Sequence, residues 1–248
     1  MTDERPFGRV HSLARVGVGW MLFGSTVLGY CLVALFLLPW RGLRLQLASS
    51  YGRWIAPLCL RVCGIRFEVE HAERATKGGP CIYVLNHASA LDAFLVMATF
   101  PPRGCGVGKK EVLWLPFFGQ AYWLAGMILI DRSSREQAIA QLELLATVVH
   151  KLGISPVIAP EGTRSRDGHL GPFKKGVVHM AIATGLPIRP LVIQHAHKHM
   201  PARQFRITPG VVRGIVLTDI DTTGWAVETL DQHLAEIREV FLTTLEPL

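Results

Sequence analysis

Chemistry in this chain starts with Asn86-His87-Ala88-Ser89-Ala90-Leu91-Asp92, which follows the uncharged run Cys81-Ile82-Tyr83-Val84-Leu85. The run reads as a buried strand, and Ala93-Phe94-Leu95-Val96-Met97-Ala98 reads as a helix that stops before Pro101-Pro102. His87 and Asp92 are five residues apart. On one continuous helix they would diverge by about 140°, so they meet only if the helix begins between them. With Ser89 as N-cap, Asp92 takes the third helical position and its carboxylate points back at the loop holding His87. That geometry suits a His–carboxylate pair at a strand-to-helix turn. Ser89-x-x-Asp92 is also an ordinary capping box, which needs no catalytic role.

The partners of such a pair are narrowed by composition. Half of the 248 residues are apolar, 18% are charged, and the mean hydropathy is +0.30, which is rich for a soluble enzyme and points to a membrane contact. A formal net charge of +7 favours anionic partners such as lipid headgroups or phosphorylated small molecules. No Lys/Arg run interleaved with aromatics is present, so nucleic acid is not expected. Cysteines 31, 59, 63, 81 and 105 form no C-x-x-C pair and imply neither a zinc site nor a disulfide framework. A reducing cytoplasm is the expected surrounding.

The elements that must position the pair fall into two parts, 1–63 and 64–248. Val16 to Trp40 carries no charge over 25 residues, between Arg15 and Arg41. As a helix it reaches about 37 Å, enough for a bilayer core of about 30 Å. Trp20 and Trp40 read as interfacial anchors, and no small-residue cleavage site suggests a signal peptide. In the next helix, Leu47, Tyr51, Trp54, Ile55, Leu58 and Val62 lie opposite Gln46, Ser49, Ser50, Arg53 and Arg61. This amphipathic pattern fits a membrane interface, with packing on the protein's own core as the plainer alternative. Arg41, Arg44, Arg53, Arg61 and Arg66 favour a cytoplasmic location for the rest of the chain.

From Gly64 the pattern predicts an α/β fold, a mixed sheet flanked by helices, preceded by a two-helix membrane anchor. Strands are expected at 65–70, 81–85, 127–131, 156–159 and 188–193, with one or two more in 206–220. Helices are expected at 89–99, 134–152, 175–184 and 225–244. Polar residues sit just past several strands, where open α/β sheets bind ligands: Arg132 after one, and Glu161-Gly162-Thr163-Arg164 after another. Glycine amides beside a guanidinium suit phosphate, and Arg166, Lys174 and Lys175 add charge nearby.

In order, these segments closely resemble the glycerolipid acyltransferase family, specifically the 1-acylglycerol-3-phosphate acyltransferases. Asn86, His87 and Asp92 match its N-H-x4-D block, and Gly126 to Arg132 its apolar strand ending in Arg. Pro160-Glu161-Gly162-Thr163-Arg164-Ser165 and Leu186-Pro187-Ile188-Arg189-Pro190-Leu191-Val192-Ile193 match its third and fourth blocks. The resemblance runs through about 65–220 and implies transfer of an acyl group from a thioester to the sn-2 hydroxyl of lysophosphatidate. His87 would be the base and Asp92 would orient it. Arg132 and Arg164, with the Gly162-Thr163 loop, would hold the phosphate, and Glu161 would orient an arginine or a glycerol hydroxyl. Lys109 would contact the oxyanion or the donor. Acyl-CoA or acyl carrier protein serves as co-substrate, membrane lipids are partners, and no metal or other cofactor is implied.

The chain departs from the family pattern at Ala90 and Ala159, where aromatics are common, and at Arg189 in a normally apolar block. His195, His197 and His199 would alternate along one face of an extended segment as a metal site, against the family's own His-Lys near this point. Gly106-Val107-Gly108-Lys109-Lys110 lacks the spacing of a phosphate-binding loop, and Cys105 has no visible base. Rival readings are an acyltransferase for a lyso-ornithine lipid or another lysophospholipid, a phospholipid transacylase, a non-catalytic lipid-binding protein, and a lipid hydrolase.

Overall fold

The computed structural model describes residues 8–115, 118–130, 145–165, 167–202 and 206–245. A seven-stranded sheet has the order β1-β7-β6-β2-β5-β3-β4. In chain order the strands are β1 (Ile65–Glu70), β2 (Ile82–Leu85), β3 (Gly104–Lys109), β4 (Ile128–Ile130), β5 (Ser155–Ile158), β6 (Ile188–Gln194) and β7 (Gly210–Val216). Neighbours pair in parallel except β6 with β7. Five strands therefore share one direction, and β7 and β1 run against them.

Alternation along the central strands builds a core on each side. Ile82 and Val84 of β2, with Ile188 and Val192 of β6, pack with α6 (Gly176–Thr184), α8 (Leu230–Thr244) and α5 (145–152). Tyr83, Leu85, Leu191 and Ile193 pack on the other face, with Leu91 just before α3 (Asp92–Ala98), Leu95 within it and Leu60 from α2 (Arg41–Val62). Each buried side chain of this size contributes about 1.5–3 kcal/mol. The result is the expected mixed α/β sandwich. Only 145–152 of the expected 134–152 helix lies within the described residues, and Arg132 lies outside them.

The N-terminal apolar stretch is not one helix to Trp40. α1 runs Arg9–Phe36, a turn intervenes, and α2 starts at Arg41. Pro39 explains the break, because it lacks an N–H and restricts the residue before it. Val10–Phe36 is long and apolar enough to cross a membrane by length and composition, with 28% of its most apolar window buried. Its Phe23, Val27, Tyr30 and Ala34 pack with α2 and with Ala121, Leu124 and Ala125 on and just past α4 (Phe118–Leu124), while Met21, Leu28, Leu32 and Phe36 are exposed.

α2 buries a face that only partly coincides with the one its larger apolar residues mark. Leu45, Ala48, Ser49, Gly52, Ile55, Ala56, Cys59 and Leu60 are buried, whereas Trp54 is 58% exposed. Small residues set this face by letting α3 approach closely. A Cβ on Gly52 would stand 3.2 Å from the Met97 carbonyl oxygen. Ser49 belongs inside because its hydroxyl accepts the Gly104 amide at 3.0 Å and donates to the Leu45 carbonyl.

β3 has no counterpart among the expected strands. Gly104, Gly106 and Gly108 alternate along one of its faces, where strand patterns usually carry bulk. The space is taken by Tyr122 of α4, whose hydroxyl would lie 2.7 Å from a Cβ on Gly106 and 3.0 Å from one on Gly108. The glycine run is a platform for an aromatic ring.

Candidate active site

β2 ends at Leu85, and the chain turns through Asn86 to Ser89 before α3 begins. Asn86 fixes the start of this turn. Its Nδ2 donates to the Ile193 carbonyl at 2.9 Å and its Oδ1 accepts the Ile193 amide at 2.8 Å, locking the loop to β6. His87 is held by its backbone from a third strand's loop. Its amide donates to Glu161 Oε1 at 2.7 Å, and its carbonyl accepts the Ser165 amide at 2.8 Å.

The helix begins later than the capping-box reading requires. Leu91 is the N-cap and Asp92 the first helical residue, not the third. The Ser89 hydroxyl donates to the Met200 carbonyl at 2.7 Å and accepts the Leu91 amide at 3.0 Å, a local turn outside the helix. Asp92 still points back as expected. Its Oδ2 accepts the Ala88 and Ser89 amides, each at 2.8 Å, and meets His87 Nδ1 at 2.6 Å. With Nδ1–H donating to the carboxylate, the neutral ring keeps the Nε2 lone pair as a base.

His87 and Asp92 line an apolar cavity of about 230 Å³. Its walls come from α1 (Phe23, Val27, Tyr30), α2 (Ala48, Tyr51) and the sheet side (Gly106, Val107, Met127, Val157), with Arg164 as its cationic residue. A base, an apolar slot and one guanidinium suit a substrate with a long hydrocarbon chain and an anionic head.

Arg164 and Thr163, expected at the phosphate, are both exposed, and Arg164 reaches the cavity. Gly162 adopts a left-handed φ of 71°, and its amide is used within the turn, donating to Ala159 O at 3.1 Å. Glu161 is buried, and both its oxygens hold backbone amides: Oε2 accepts the Gly171 amide at 3.0 Å while Oε1 holds His87. Burial raises its pKa against the lowering effect of those two amides. Lys109 ends β3, exposed and outside the residues lining the cavity.

The three-histidine arrangement does not form. β6 stops at Gln194, and a single helical turn, α7 (Ala196–His199), replaces the extended segment. His199 Nδ1 bonds the Thr208 carbonyl at 2.9 Å, and no metal-holding group of three His, Cys, Asp or Glu occurs among the described residues. Burial pushes the Cys105 thiol up to about 12 and Cys81 to about 11, so neither offers a thiolate nucleophile at neutral pH. Sequence reasoning missed Tyr122 and the α1–α2 wall of the cavity, because an apolar helix reads alike whether it faces lipid or protein.

A strand-to-helix His–Asp pair over an apolar slot is suited to acyl-group transfer. The chain belongs to the acyltransferase family, whose model matches residues 66–194. It is 39% identical over 220 residues to the 1-acyl-sn-glycerol-3-phosphate acyltransferase of Limnanthes douglasii, covering 89% of this chain and 78% of the relative. It is 35% identical over 190 residues to the enzyme of that name from Escherichia coli (strain K12), covering 77% and 75%. The fold matches the crystal structure of the 1-acyl-sn-glycerophosphate (LPA) acyltransferase PlsC from Thermotoga maritima with a TM-score of 0.72 at 21% identity, over 95% of this chain and 98% of that one.

Proposed function

We propose that this chain acylates the sn-2 hydroxyl of lysophosphatidate from a fatty acyl thioester, giving phosphatidate for phospholipid biosynthesis. The observation that carries the reading is the 2.6 Å His87–Asp92 contact opening on an apolar cavity that Arg164 reaches. The names borne by the relatives agree with it.

In the step, His87 Nε2 takes the hydroxyl proton as the oxygen bonds to the thioester carbonyl carbon. The carbonyl electrons move onto its oxygen, then return and break the C–S bond. The thiolate leaves with the proton returned by the imidazolium. Asp92 keeps the ring's tautomer and balances the charge that forms on it. The hydrocarbon chain of the thioester occupies the cavity beside His87. Arg164, joined by Arg132, holds the acceptor phosphate, and Thr163 borders that site. Lys109, at the exposed end of β3, meets the anionic donor, acyl-CoA or acyl carrier protein.

Residues 1–63 form the membrane-associated part and 64–248 the acyltransferase domain. The exposed apolar side of α1 supports membrane association. The excess of arginine after the first apolar segment supports the cytoplasmic face, where acceptor and donor both reside.

Membranes carrying the wild type or His87→Ala, given lysophosphatidate with either donor, test this by phosphatidate mass. Product from the wild type, lost in His87→Ala at equal protein level, is expected. No product with either donor would remove lysophosphatidate as acceptor, and other lysolipids would be tried next. Free fatty acid released without acceptor would mark a hydrolase.

A further inference from the structure

A second apolar cavity, of about 480 Å³, lies beside the first. It is lined by Gly19 and Trp20 of α1, Cys59 and Cys63 at the end of α2, Ala90 and Leu91 before α3, and Met200. The two cavities share Ala93, Phe118 and Arg164 and are otherwise divided. The divider is aromatic. Phe23 in the first wall and Phe94 in the second meet edge to face at 5.7 Å, and Trp20 packs on both, at 6.0 and 6.5 Å.

We infer that this second cavity holds the acyl chain already present on the acceptor, while the cavity beside His87 holds the chain being transferred. The inference rests on the proposed function and adds which cavity takes which chain. Lysophosphatidate is branched in the way the cavities are: the phosphate lies on one side of the reacting carbon and the esterified chain on the other. With the phosphate at Arg164, which lines both cavities, and the free hydroxyl at His87, the acceptor chain has to leave the junction by a route other than the donor's. The second cavity starts at that junction. It also includes Trp20 and Leu115, 44% and 52% exposed, so a membrane lipid can enter from the side without threading past the donor. Ala90 lines this cavity and not the first, so the small residue in a place where the resemblance leads one to expect an aromatic enlarges the acceptor side.

The test fills each cavity separately. Ala90→Trp adds bulk at the junction. Gly19→Leu adds it farther along, where a Cβ meets only ordinary contacts, Cys63 Sγ at 3.7 Å and the Cys59 carbonyl at 4.0 Å. Val27→Trp fills the first cavity. Full-length protein in detergent micelles receives an equimolar mixture of short-, medium- and long-chain lysophosphatidates with one donor, then one lysophosphatidate with mixed acyl-CoA donors. Products are resolved by mass. Ala90→Trp and Gly19→Leu should lower the long-to-short ratio among acceptors by about tenfold and leave the donor distribution that of the wild type. Val27→Trp should do the reverse. Folding is checked by thermal unfolding, and Gly19→Leu decides alone if Ala90→Trp does not fold. A folded Gly19→Leu that shifts the donor distribution, or shifts neither, overturns the assignment. A wild type inactive on every lysophosphatidate would overturn the proposed function first, and this assignment with it.

Discussion

Glu161, just past β5, holds the backbone amide of His87, just past β2, at 2.7 Å, and with its other oxygen the Gly171 amide at 3.0 Å. The base is thus aimed by its own main chain as well as by Asp92. Glu161→Ala leaves two amides without their acceptor, at about 1–3 kcal/mol each. A lowered thermal midpoint and a lower kcat with little change in KM are expected, because the ring and not the binding surface is displaced. An increase in KM alone would contradict this.

The same carboxyl gives a pH dependence with a definite sign. Burial raises its pKa above the ordinary 4.5, so the folded state holds that proton more tightly than the unfolded one. Its contribution to stability is full below 4.5 and is lost as pH rises through the raised value. Glu161→Gln does not titrate. Wild type should therefore lose stability relative to Glu161→Gln as pH climbs just above 4.5, with a constant difference at higher pH. Thermal unfolding of both proteins from about pH 4 to about pH 8 reads this directly. A difference that grows in the opposite direction would reverse the assignment.

Asp92→Asn separates geometry from charge. The side-chain oxygen can still accept the Ala88 and Ser89 amides and His87 Nδ1–H, so the loop should hold. The new amide then occupies the position of Oδ1, which is buried with no hydrogen-bond partner among the described residues. Without the negative charge, the imidazolium forming in the step loses its balance, and a fall of about 10²–10⁴ in kcat is expected with near-wild-type binding of acceptor. Single-turnover rates and lysophosphatidate titrations distinguish this from collapse of the loop, which would weaken both.

Legibility in the sequence tracks the range of the interactions. His87 and Asp92 meet through a local turn, so their spacing suggested the pair and the family resemblance singled it out, although the helix starts two residues later than the Ser89 cap implied. The Glu161–His87 bond was not legible, because it depends on β5 lying next to β2, with Tyr83 opposite Val157. Nor was β3, whose alternating glycines erase the pattern by which a strand is read. The cavity walls of α1 and α2 were hidden for another reason. Burial between helix and sheet selects the same apolar residues as a bilayer does, so composition could not assign Phe23 or Tyr51 to one or the other.

Arg164 lines both cavities, and its contact with the acceptor is expected to be a charge-assisted pair with phosphate. Such bonds contribute about 1.5–3 kcal/mol, so Arg164→Ala should lower kcat/KM for lysophosphatidate by about 10- to 100-fold. Arg164→Lys should recover only part of this, because a point charge replaces a bidentate fork. The same substitutions should matter far less for a monoacylglycerol, which has no phosphate. Equal losses on both acceptors would place Arg164 elsewhere in the reaction.

The β3 platform offers a test of how the fold holds the cavity. A Cβ on Gly106 would lie 2.7 Å from the Tyr122 hydroxyl and 3.1 Å from the ring edge, in a wall that both residues share with Val107. Tyr122 is on the short helix α4, and its hydroxyl, at the far end of the side chain, is the atom that must give way first. Gly106→Ala should cost about 1–3 kcal/mol by overpacking. Tyr122→Phe removes the closest atom and leaves the ring, so the double variant should recover part of the loss. Two substitutions that act independently would add within about 0.5 kcal/mol, whereas this pair should fall short of additivity by more than that. Denaturant unfolding of the four proteins measures the coupling, and strict additivity would mean that the strand, not the ring, absorbs the added methyl.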